Sequence, residues 1–273
     1  MEAFIIVSCT PVRHHERMRA AAVTIACVML VGVASGCGSG SSEPAASPST
    51  TATAPSAASL APIHGSYDPP IDPANFVATV DNKYWPLEPG TAFHYEGTRG
   101  TTPQIDDEVV THRTVRILGI RCTVVRDTVS EKGRAVERTF DYYAQDKQGN
   151  VWYLGEDSFE REHGRFVKAS DSWRSGVDGA EPGIIMPADP RPGESYRQEY
   201  YPAGEALDQA RVLGVRGPVE VPYGRFEHAL VTSEFSPVEP QTEEKYYVAG
   251  VGEILERVVK GHHEEFRLVR ITR

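Results

Sequence analysis

The sequence predicts a mostly-β domain: a curved antiparallel sheet, either a half-barrel or two related sheets, with few short helices. Two observations carry this. From Val109 onward the apolar residues recur with a period of two rather than 3.6. The runs that show it are divided by short Gly-containing turn signals.

The elements follow in chain order. Met18-Arg19 opens an apolar run, AAAVTIACVMLVGVA, of about 15 residues, against the roughly 20 a transmembrane helix needs. It ends in Ala34-Ser35-Gly36-Cys37, which resembles the bacterial lipobox, with Ala34 where Leu is usual. Residues 1–36 read as a signal peptide, its true start at Met18. Cys37 is then the diacylated new N-terminus, since two acyl chains anchor stably where one is marginal. Residues 38–62 are small, Ser/Thr/Pro/Ala-rich and almost uncharged. They read as a disordered tether that runs on to residue 70. One domain, 71–273, is expected to follow.

Asp81–Thr91 mixes aromatics with turn formers, and Pro86 and Pro89 keep it out of a helix. Phe93 and Tyr95 begin the first strand. Val136, Phe140, Tyr142 and Ala144 share one face of a later strand; Glu137, Thr139, Asp141, Tyr143 and Gln145 share the other. Glu131-Lys132-Gly133-Arg134 and Asp146–Asn150 are hairpin turns, and Val151–Gly155 returns from the second. Strands are expected around Ala229–Phe235, Lys245–Val248, Glu253–Val259 and Glu265–Ile271. Short helices are expected at Pro73–Val77 and Gly204–Leu213. Arg116–Arg121 (RILGIR) is echoed by Arg211–Arg216 (RVLGVR). Either the domain repeats itself, over about 91–160 and 195–273, or hairpins share a common grammar. Residues 164–203, rich in Gly and Pro, join the halves or lie over the sheet as a lid.

An exported chain in which Tyr84-Trp85-Pro86-Leu87-x-Pro89-Gly90-Thr91 leads into antiparallel hairpins resembles actinobacterial exported lipoproteins over most of 71–273. More distantly, in architecture alone, it resembles half-barrel carriers of the LolA and LppX type. That second resemblance implies an apolar groove.

Net charge is −10; residues 1–36 hold Arg13, Arg17 and Arg19 against Glu2 and Glu16, leaving −11 for the rest. Such a surface repels nucleic acid and anionic headgroups, so membrane attachment must come from the lipid. No nucleotide-binding, hydrolase-elbow or zinc-helix motif is present. Cys122, left alone in the mature chain, reads as a buried thiol rather than a nucleophile. His262-His263-Glu264-Glu265 and Asp146–Asn150 read as turns rather than metal sites, and no metal or cofactor is expected. The acidic run Glu156–Glu162 could pair carboxylates for glycoside chemistry, but reads better as a solvated strand end.

The aromatic set is the remaining signal. Trp85, Tyr142, Tyr143, Trp152 and Trp173 are candidate ligand-groove residues, with core packing as the other reading. Trp173 is expected over a floor of Trp152 and one of the two tyrosines. The functional expectation is therefore a non-enzymatic binding or carrier lipoprotein for an apolar small molecule or lipid. The alternatives are an envelope protein-interaction module and, third, an envelope hydrolase.

Overall fold

The computed structural model describes residues 55–273. Cys37, the leader and most of the expected tether lie outside the described residues. The wall is built from β1 (Ala92–Arg99), β2 (Thr102–Ile117), β3 (Ile120–Asp127), β4 (Glu137–Gln145), β5 (Val151–Glu162) and β6 (Glu181–Met186). It continues with β7 (Ser195–Arg197), β8 (Gln209–Arg216), β9 (Ala229–Phe235), β10 (Thr242–Val248), β11 (Gly252–Lys260) and β12 (Glu264–Thr272). The domain is mostly antiparallel β, and the curved sheet closes into a barrel.

Closure is simple because strands next to each other in sequence pair. The wall runs from β1 through β2, β3, β4 and β5 to β6. Glu199–Tyr200 pairs with the start of β6 while β7, just before it, pairs with β8. One bent segment thus carries the wall across. From β8 it runs through β9, β10 and β11 to β12, which pairs back onto β1. A closed sheet has no unpaired edge. Gly97 permits the seam: a Cβ there would lie 1.9 Å from the Glu265 carbonyl oxygen on β12.

The expected turns form. Lys132 and Gly133 both take positive φ (49° and 73°), as a tight hairpin requires. The second turn is held by a buried carboxylate. Asp146 accepts from the Asn150 backbone N–H (2.8 Å), Asn150 Nδ2 (2.8 Å) and Trp152 Nε1 (2.9 Å). These bonds to donors at 150 and 152 hold the hairpin turn closed. Asp146→Ala would leave those buried donors unpaired, so it should destabilise the domain by about 3 kcal/mol, read by urea unfolding.

Several expectations are corrected. The packed chain begins at Ala57, not Ile71: Ala57, Ala61 and Tyr67 are buried, and the Tyr67 hydroxyl donates to Pro182 O at 2.6 Å. Residues 57–70, read as tether, are held against β6 and β7, where Arg197 donates to the carbonyls of Pro62 and Ile63. Pro73–Asn75 is a single 3-10 turn with Asp72 as its cap. Gly204–Leu213 is not helical and contains most of β8. The two similar hexapeptides differ in structure: 116–121 is a hairpin corner, with Leu118 and Gly119 at positive φ, while 211–216 runs through one strand. The Gly/Pro-rich middle is wall rather than lid. Trp173–Arg174 pairs with Glu156 and Gly155, and β6 pairs with Tyr153, Trp152 and Val151.

The two faces of the wall differ. Outside, residues 57–80 and the 175–180 loop cover β3 to β6. This buries Cys122, Val124, Ala144, Trp152, Leu154 and Ile184. Burial pushes the Cys122 thiol up to about 12, which makes it inert at neutral pH. Elsewhere the outer face carries the ion pairs Arg267–Glu265 (2.7 Å) and Arg257–Glu244 (2.8 Å) and a His94–Asp107 hydrogen bond (2.7 Å). A lipid-facing barrel would present an apolar band there instead. Among the described residues no helix is long and apolar enough to cross a membrane.

Candidate binding site in the barrel lumen

The inward face is acidic and aromatic. Strand register defines it. Tyr95 on β1 lies opposite Asp106 on β2, and Asp141 on β4 lies between Val125 on β3 and Glu156 on β5. Across the barrel, Glu234 on β9 faces Glu243 on β10, and Lys245 faces Glu256 on β11. Two irregularities add carboxylates to this face. On β5 the register slips at Leu154–Gly155, so Tyr153 and Glu156, three apart, point the same way. Gly155 is required there: its φ is 139°, and a Cβ would lie 2.5 Å from the Trp173 carbonyl oxygen. On β11 a slip at Ile254 likewise turns both Glu253 and Glu256 inward.

The aromatic rings form a continuous wall at one end. Tyr143 stacks on Tyr153 with centroids 4.9 Å apart, and Trp173 meets Tyr153 edge-on at 5.3 Å. Trp85, brought in by the arm before β1, lies 5.6 Å from Tyr143 and 5.9 Å from Tyr247. Among the described residues, its indole N–H and the hydroxyl of fully buried Tyr196 have no hydrogen-bond partner. Trp173 Nε1 donates to Glu199 at 2.8 Å.

The carboxylates are strongly perturbed. Burial, opposed by the Tyr153 hydrogen bond, lifts Asp141 to about 7. Burial and then repulsion from Asp127 and Asp141 lift Glu108 to about 8. Burial likewise raises Glu243 to about 7 and pushes Glu156, Glu199 and Glu253 well above the carboxylate range. The Tyr153 oxygen lies 2.7 Å from Asp141 and 2.9 Å from Glu156. A phenol has one proton for the two, and burial favours protonation of each carboxyl. Lys245 is the counter-charge, 3.1 Å from Glu256 and 3.7 Å from Glu234. Burial opposes its charge, but Glu256, Glu234 and Glu253 outweigh that and keep it ionised.

The Lys245 and Glu256 side chains are not wholly enclosed, with 23% and 21% of their surfaces accessible.

The five candidate groove residues do not form one lining. Trp85, Tyr143 and Trp173 meet in the lumen. Tyr142 and Trp152 point outward, because each neighbours an inward residue on its own strand. Tyr142 sits with Asp157 and Arg174, with Arg174 over its ring. Trp152 packs against Phe76 beneath a small outer cavity of about 160 Å³, which Leu60 and Ile71 also line. The acidic run divides too: Glu156 faces the lumen, while Asp157 bonds Lys168 and Arg174 outside. Sequence reasoning missed the carboxylates of β2, β3, β9, β10 and β11, because an alternating strand does not declare which face is enclosed.

No protein-family model matches the chain, and no curated protein matches it. Among solved structures, a candidate exported protein from Bacteroides fragilis with a YmcC-like fold aligns at 12% identity and TM-score 0.38. The alignment covers 70% of this chain and 100% of that one. A candidate lipoprotein from Parabacteroides distasonis aligns at 9% identity and TM-score 0.34, covering 70% and 99%.

Proposed function

We propose that this chain is an exported, Cys37-anchored binding lipoprotein that holds a small organic cation inside its barrel. The observation that carries the reading is the lumen lining: inward carboxylates beside a wall of tyrosine and tryptophan rings. Ring faces and carboxylates both attract a desolvated ammonium group. The expected ligand thereby changes from an apolar molecule or lipid to an amine with an apolar body. Such a ligand would supply positive charge that Lys245 alone does not. An interaction module is less well supported, because the apolar outer face of β3 to β6 is already covered by the chain's own arm.

Native mass spectrometry of the protein purified from its own host tests both parts. The expected chain starts at Cys37, carries a diacylglyceryl mass, and retains an adduct that leaves as a cation on unfolding. A chain still bearing residues 1–36 would remove the anchor. A neutral lipid or an acid as the adduct would remove the amine.

A further inference from the structure

We propose that Asp106, Glu108 and Asp127 form a site for a hard divalent cation of the calcium type, at the β2–β3 side of the lumen. One oxygen from each of the three lies within 4.8 Å of the others. The strands bring them together. Asp106 and Glu108 are two apart on β2, and Asp127 follows Arg126, which pairs with Val109 on β2. Like charges side by side on neighbouring strands destabilise a sheet unless something lies between them.

A second observation is independent of the acidic cluster. Gln104, only 2% exposed, occupies the same inward face of β2, one pleat from Asp106. Its Nε2 donates to Glu131 at 2.7 Å, but among the described residues its buried Oε1 accepts from nothing. Asp106 Oδ1 and Asp127 Oδ1 are buried and, among the described residues, equally without a donor. Orphaned acceptor oxygens cost free energy unless a cation, a proton or water meets them. Lys245 does not reach them; its contacts are Glu234 and Glu256. Carboxylate and amide oxygens with no nitrogen or sulfur suit calcium rather than zinc or copper. Without a cation, burial raises Asp106 to about 7; a hydrogen bond with Asp127 opposes this and repulsion from Glu108 adds to it. The site stands on its own geometry and does not depend on the amine reading of the aromatic end.

Terbium luminescence on the full chain tests it. Tyr95, opposite Asp106, is a built-in sensitiser. The expected result is saturable emission that calcium displaces. Asp127→Asn and Glu108→Gln should each weaken binding by about tenfold or more. Glu265→Gln, an outer-face carboxylate paired with Arg267, should leave it within about twofold. Calcium should also raise the melting temperature of the wild type and not of Asp127→Asn, which removes repulsion and so should fold. Absence of saturable emission, or an equal loss in Glu265→Gln, would overturn the site. Either outcome would leave the amine reading to be judged by its own titration.

Discussion

Lys245→Met is expected to be the most damaging single substitution in the lumen, costing about 3–5 kcal/mol at pH 8. Methionine nearly fills the lysine's volume, so packing changes little. The loss is electrostatic. Lys245 lies 3.1 Å from Glu256 and 3.7 Å from Glu234, and it also draws down Glu243 and Glu253. Removing it leaves those carboxylates enclosed without a counter-charge. The penalty should shrink at pH 5, where Glu243 and Asp141, both raised to about 7, carry protons in the folded state. Chemical unfolding of the variant at the two pH values measures this. An equal loss at both would assign Lys245 a packing role instead.

The second large effect is on the ligand-free protein, whose stability should fall as pH rises. Asp106, Asp141 and Glu243 are raised to about 7 and Glu108 to about 8, from ordinary values near 4. Between pH 4 and 8 the folded state therefore binds more protons than the unfolded chain, and the slope of stability against pH is negative. The contribution is complete at low pH and is lost as pH passes through the folded values. A tenfold change in a group's proton affinity on folding corresponds to about 1.4 kcal/mol. Neighbouring groups share protons, so the total is less than the sum of the separate groups, on the order of several kcal/mol. In a domain of this size that corresponds to roughly 10 °C or more in melting temperature between pH 5 and pH 9. Asp157 and Glu244, held low by basic partners against their own burial, act oppositely below about pH 4, so the optimum lies near pH 4–5. A flat or rising profile for metal-free, ligand-free protein would mean that the carboxylates are hydrated like surface groups.

The strands and their turns were legible because period two and Gly-containing turns are local signals. The alternation along β4 correctly grouped Glu137, Thr139, Asp141, Tyr143 and Gln145. What it could not say was that this polar face is the enclosed one. In an ordinary sheet the apolar face goes inward; here Val124, Ala144 and Leu154 are buried on the outside by the arm. The arm was itself concealed, since Ala57 and Ala61 belong to a stretch whose small, uncharged composition reads as tether. Small side chains are also what lets a chain lie flat against β7. Bulges hid the rest. A strict period of two places Tyr153 and Glu156 on opposite faces, and likewise Glu253 and Glu256. Single-residue slips reunite each pair in the lumen. The pairing of Trp152 with Trp173 failed for a related reason: Trp152 takes the outer parity of β5.

The most direct test of the binding account is a tryptophan-emission titration of Trp152→Phe, in which the outer indole is gone and Trp85 and Trp173 report from the lumen. Butylamine, protonated at pH 7.5, and 1-butanol share an apolar body and differ in charge. The account predicts a saturable change in emission with the amine and none with the alcohol at the same concentrations. Equal responses to both, or no response to the amine, would contradict it.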